Sequence, residues 1–134
     1  MGKKLIIKGA DFLANSISEN WIINTYTWGK GGINTPGVSS GSTNPVMSMV
    51  GLPLEQANGG DLVFRGANGY KINALLTSDV PSPASGQYTY TVFDPTLDTI
   101  TVPSGKYFEI SVSRTDAQNA DLSDGPSALL LLQD

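Results

Sequence analysis

Gly69-Tyr70-Lys71-Ile72-Asn73-Ala74-Leu75-Leu76 and Gly105-Lys106-Tyr107-Phe108-Glu109-Ile110-Ser111-Val112-Ser113-Arg114-Thr115-Asp116 are two versions of one pattern. In each, a glycine-containing turn feeds an aromatic residue into a run whose apolar side chains recur at every second position. That is the period of a half-buried β-strand. The alternation puts Tyr70, Ile72, Ala74 and Leu76 on one face of the first strand, and Phe108, Ile110 and Val112 on one face of the second. Lys71, Asn73, Glu109, Ser111 and Ser113 are then expected to face water.

Outward from these two strands the punctuation is regular. Asn58-Gly59 and Asn68-Gly69 signal tight hairpin turns, because such turns need positive φ at their central residues. Pro81 and Pro83 make residues 78–86 a loop, residues 87–93 read as an aromatic strand, and Asp94-Pro95 reads as the turn that ends it. Residues 99–102 form a further short strand, 116–126 an acidic loop, and 127–132 a closing strand. Upstream, the β-branched and aromatic residues 20–28 also read as a strand, with apolar bulk on both faces. Short strands between turn signals predict an all-β antiparallel sandwich, jelly-roll-like, with little helix.

The 134 residues fit a single domain, 1–134. Residues 1–20 read as an N-terminal strand and candidate docking arm, and 54–134 as the sandwich core. Residues 29–45, rich in Gly, Ser, Thr and Asn and ending at Pro45, offer little apolar surface. They are expected to be a long loop, flexible or ordered by a partner. Trp28, beside that loop, is expected outside the core.

Charged residues make up 15% of the chain and the net charge is −4. That balance argues against nucleic acid, which needs clustered Lys and Arg to displace counterions. The densest basic group, Lys3, Lys4 and Lys8, reads as the flanks of a strand at Leu5-Ile6-Ile7. The longest apolar run, residues 128–132, is far below the roughly 20 residues that span a bilayer, so no membrane insertion is expected. A secretion signal is not expected either, since Lys8 and Gly9 cut the N-terminal apolar run short.

The chain has no His and no Cys. This removes thiolate metal sites, thiol nucleophiles and the usual general base of a hydrolytic triad. Paired carboxylates such as Asp94 with Asp98, or Glu109 with Asp116, are the remaining route to hydrolysis. Asp94 lies in a turn signal and Glu109 on the water side of its strand, so no enzyme and no cofactor are expected. Asp116, Asn119, Asp121 and Asp124 offer oxygen ligands of the kind calcium takes, without the spacing of a known loop. No metal is assigned. Among the aromatics, Trp28, Tyr88 and Tyr90 are the candidate ligand-binding faces. Leu5, Ile6, Ile7, Ile33 and Val38 are the candidate assembly contacts.

Residues 3–17, KKLIIKGADFLANSI, resemble the opening of many small proteins from phages and prophages of Bacteroidales gut bacteria. There a KLIIKGADFSANAI-like stretch precedes a β-rich module, and Leu13 stands here in place of a small polar residue. Residues 61–132 are similar to that module in order: a hydrophobic strand, a Gly-Tyr-Lys-Ile strand, a variable loop, an aromatic strand, the segment 99–110 and the Asp-containing loop at Arg114-Thr115-Asp116. In the relatives the module is a carbohydrate-binding-like sandwich of virion and tail-associated proteins. They commonly carry a Trp in the aromatic strand, where this chain has Tyr88, Tyr90 and Phe93. The resemblance implies a virion protein without catalytic activity, an accessory capsid or tail component that assembles with itself or with other virion proteins as a homo-oligomer. Recognition of a host surface glycan is the alternative it implies.

Overall fold

The computed structural model describes residues 26–132. Their strands are β1 (Thr27–Lys30), β2 (Ile33–Thr35), β3 (Val38–Ser39), β4 (Val46–Val50), β5 (Glu55–Gln56), β6 (Leu62–Gly66), β7 (Tyr70–Ser78), β8 (Tyr88–Leu97), β9 (Thr99–Val102), β10 (Tyr107–Arg114) and β11 (Leu129–Leu132). A 3-10 turn at Leu122–Asp124 and a four-residue helix, α1 (Gly125–Ala128), precede β11. The predicted docking strand at Leu5, Ile6 and Ile7 lies outside the described residues.

The strands form an antiparallel β-sandwich. The large sheet runs β1-β4-β10-β7-β8, with β5 extending the β4 side of β10, and the small sheet runs β11-β6-β9. Between them Met47, Met49, Ile72, Phe108, Ile110 and Val112 of the large sheet meet Leu62, Phe64, Ile100, Val102, Leu129 and Leu131 of the small one. The Phe64 and Phe108 rings lie 5.4 Å apart at 45°, an ordinary tilted aromatic contact across the two layers. Every one of these side chains is apolar, so the interlayer space is held by burial of hydrocarbon.

The alternation of β10 is as the sequence predicts: Phe108, Ile110 and Val112 all enter the interlayer core. That of β7 is interrupted. Its register against β10 runs Ile110↔Leu75, Ser111↔Ala74, then Val112↔Ile72, leaving Asn73 as the extra residue of a bulge. One inserted residue exchanges the faces of everything beyond it. Tyr70 and Ile72 therefore belong to the interlayer core, whereas Ala74 and Leu76 belong to a second cluster on the opposite face.

Asn68 and Gly69 adopt φ of 55° and 87°, and Tyr70 N–H closes the turn on Ala67 C=O at 3.1 Å. The turn conformation matches its Asn-Gly signal, but the strands it joins lie in different sheets. It is a crossover between layers. Asp94-Pro95, predicted to end a strand, lies inside β8, where residues 93–96 bulge out between the pairs Ala74↔Val92 and Ile72↔Leu97. Proline is tolerated there because β8 is an edge strand.

The largest departure from the sequence reading is residues 29–45. They are built into the fold as the end of β1, the β2–β3 hairpin and the approach to β4. Gly31 N–H bonds Val46 C=O at 2.7 Å, Ser40 N–H bonds Gly32 C=O at 2.8 Å, and Gly41 N–H bonds Lys30 C=O at 2.8 Å. Small side chains let these backbones approach one another, so the segment closes by hydrogen bonds where it lacks apolar bulk. The sandwich core likewise begins before residue 54, since β1 and β4 are strands of the large sheet.

Candidate docking face

The outer face of the large sheet is assembled from registered rows. Tyr90, Leu76 and Glu109 form one row across β8, β7 and β10, and Val92, Ala74, Ser111 and Ser48 form the next, reaching β4. The β2–β3 hairpin lies on part of this surface. Ile33 and Leu54 pack with Ala74 and Leu76, and Tyr88 and Tyr107 flank them. Toward β8 the cover ends and the rows surface: Tyr90 is 40% exposed and Val92 56%.

Beside this apolar cluster the same face buries polar groups. All four buried polar side chains among the described residues, Ser48, Ser78, Glu109 and Ser111, project from this face. Ser48 Oγ donates to Gly31 C=O at 2.7 Å, and Asn73 Nδ2 donates to Ser111 Oγ at 3.1 Å. Between β4 and β5, where β10 has no ladder partner, Ile110 N–H donates to Met49 Sδ at 3.3 Å. The hairpin turn dips into that gap. Gly37 N–H donates to Glu109 Oε1 at 2.9 Å while Gly37 C=O accepts from Gly51 N–H at 2.7 Å.

Glu109 is thus 1% exposed, and the expectation that it faces water is corrected. Alternation did place it away from the interlayer core, but the hairpin covers the side to which it points. Burial pushes its carboxyl up to about 7 against the lowering effect of the Gly37 amide, and Oε2 is buried with no hydrogen-bond partner. Tyr26 and Tyr90 both feel its charge. Burial pushes the Tyr26 hydroxyl up to about 12, although that oxygen accepts from Glu55 N–H at 3.2 Å.

The predicted site residues separate. Trp28 is 7% exposed and sits in the interlayer core, because β1 pairs it with inward-facing Met49. Gly125 lies flat against its indole, and a Cβ at 125 would collide with the ring. Trp28 is therefore not an exposed binding face. Ile33 is also buried within the chain, which removes it from the assembly contacts, whereas Val38 is exposed. Tyr88 and Tyr90 remain at the surface on one face of β8, joined by Val92, which the sequence reading passed over. The signal for Val92 was its same-face spacing from the two tyrosines.

The open edge of β8 adds a second property. Every other residue of an edge strand turns its N–H and C=O away from its single partner, ready to pair with another chain. Edges are commonly protected by charge or proline. Residues 88–92, Tyr-Thr-Tyr-Thr-Val, carry neither, and the first such residues are Asp94 and Pro95 in the bulge.

The acidic loop is occupied by its own chain. Arg114 pairs with Asp116 at 2.5 Å and holds that carboxyl down at about 2, and its guanidinium lies 5.7 Å over the Tyr70 ring. Tyr70 Oη donates to Asp124 Oδ2 at 2.8 Å, and Asp121 accepts from Ser123. Among the described residues no three His, Cys, Asp or Glu side chains converge as a metal site. Glu109 and Asp116 are seven residues apart on a nearly extended chain, roughly 20 Å, which is too far to flank one glycosidic bond. Asp98 pairs with Lys71 at 3.3 Å. No helix among the described residues is long and apolar enough to cross a membrane.

Neither a scan of protein-family models nor searches of curated proteins and solved structures found a match to this chain.

Proposed function

We propose that this chain is a non-enzymatic structural protein of a bacteriophage particle, an accessory capsid or tail component that acts by subunit assembly and display of its sandwich, and that a second copy docks on the open edge of β8. The observation that carries the docking is the uncharged edge segment 88–92 with Tyr90 and Val92 exposed. Strand addition supplies backbone hydrogen bonds along such an edge, and exposed side chains of one face add apolar contact. A two-fold axis at Tyr90 would set Tyr88 of each copy against Val92 of the other. No like charges would meet in a chain of net charge −4. The virion setting rests on the resemblance carried by residues 3–17 and 61–132.

Light scattering on the purified chain should give a dimer or a multiple of it. Val92→Pro, which removes an outward-facing edge N–H and blocks an incoming strand, should reduce the mass to that of one chain while leaving the circular dichroism intact. A wild-type monomer at tens of micromolar, or an oligomer indifferent to this substitution, would overturn docking at β8.

One observation favours a second reading, glycan recognition. A polar surface depression of about 250 Å³, lined by Thr77, Asp79, Gln87, Tyr88, Thr89 and Lys106, opens beside the exposed tyrosines. Sugar sites combine aromatic faces with convergent polar groups in this way. On that reading, Tyr88→Ala abolishes retention on a host-glycan array and leaves the solution mass unchanged.

A further inference from the structure

The buried carboxyl under the hairpin has no role in strand addition, yet its surroundings are specific. Glu109 Oε1 holds the Gly37 amide of the turn between β2 and β3, and Oε2 has no partner. We propose that Glu109 is a protonation latch for this hairpin: the neutral acid keeps it seated on the sheet, and the ionised acid releases it.

The groups around the carboxyl leave its negative charge uncompensated. From the segment before β1, Tyr26 faces it; from β8, Tyr90 does; Glu55 of β5, whose backbone N–H donates to the Tyr26 hydroxyl, brings no positive charge. The hairpin itself, residues 33–39, contains no ionisable side chain. Both tyrosines are pushed up by burial and stay neutral, and a phenol has no cationic form, so neither offsets the carboxylate's charge. Among the described residues no Lys or Arg pairs with Glu109. A carboxylate held by one amide and cut off from water is poorly stabilised, whereas the neutral acid sits there at far smaller cost.

The direction follows by linkage. With the hairpin open, Glu109 is solvated and titrates near its ordinary 4.5; with the hairpin closed, it titrates at about 7. The closed form binds the proton more tightly. Hairpin stability is therefore greatest at and below about pH 4.5, falls as pH rises from there to about 7, and levels off above. Opening would release the Gly37 and Gly51 amides and uncover Ile33, Ala74 and Leu76. It leaves the interlayer core in place, because no residue of β2 or β3 belongs to it.

Amide hydrogen exchange of the full chain tests this, with rates corrected for the intrinsic pH dependence of exchange. Between pH 5 and pH 8 the opening constant reported by Gly37 and Gly51 should rise roughly 50- to 100-fold, while amides of β6 and β10 stay unchanged. Glu109→Gln, which keeps an acceptor for Gly37 but cannot ionise, should flatten that dependence. A pH-independent opening constant in the wild type, or the same slope in E109Q, overturns the latch. Should E109Q fail to fold, the carbon-13 titration of the Glu109 carboxyl in the wild type decides. A midpoint near 7 upholds the proposal, and one near 4.5 removes it.

Discussion

On its inner face the large sheet meets the small sheet through Met47, Met49, Ile72, Phe108 and Ile110; on its outer face it meets a hairpin through Ser48, Ser111, Glu109, Ala74 and Leu76. Both interfaces exclude water. Inner contacts are apolar and large, so their stability is insensitive to pH and depends on filled volume. Outer contacts depend on hydrogen bonds that are each worth little net but costly to leave unmade. The same sheet therefore has one face suited to holding the fold together and one that can respond to conditions.

The comparison breaks most directly at Phe64. Phe64→Ala should cost about 3–5 kcal/mol in urea unfolding, since it removes a fully buried ring in tilted contact with Phe108. A loss near 1 kcal/mol would mean that the inner layer is not the main support. Gly125→Val comes next. Its added carbons must displace the Trp28 indole, and about 1–3 kcal/mol of global stability should go, with a red shift of Trp28 fluorescence, read in a Trp21→Phe background, reporting the displaced ring. The smallest effect tests the outer layer. Ser48→Ala deprives Gly31 C=O of its buried donor and should cost about 1 kcal/mol, measured as faster exchange at Gly37 and Gly51. If β6 amides accelerate equally, the hairpin does not open on its own and the two interfaces are one cooperative unit.

These differences explain what could be read from the amino acids. The inner layer was legible because period-two alternation in β10 is uninterrupted, and because β6, β9 and β11 present buried apolar faces of the expected kind. The outer layer was hidden twice. Asn73 inserts into β7 without disturbing the spacing of Tyr70, Ile72, Ala74 and Leu76, so nothing in the pattern shows that the last two have changed sides. The glycine-rich stretch, meanwhile, closes through backbone groups that every sequence possesses, so its composition reads as a loop. Glu109 and Trp28 were misplaced for that reason: one lies under the unforeseen hairpin, and the other is oriented by β1 toward the core. Tyr88 and Tyr90 stood with Trp28 among the candidate ligand-binding aromatics, and nothing local separated them from it; the open edge they stand on is a property of sheet order, which no local pattern encodes.

The central place of β6 in the small sheet has a consequence for synthesis on the ribosome. Its neighbours β9 and β11 both come later in the chain, and β11 emerges about sixty residues after β6, counting from Gly66 to Leu129. At roughly 5–20 residues per second, β6 waits several seconds with Leu62 and Phe64 bare and at least one edge unpaired. During that interval the nascent chain offers a sticky template to chaperones or to a neighbouring ribosome's product. A stop introduced before residue 129 would make the interval permanent, turning a transient hazard of translation into an insoluble product.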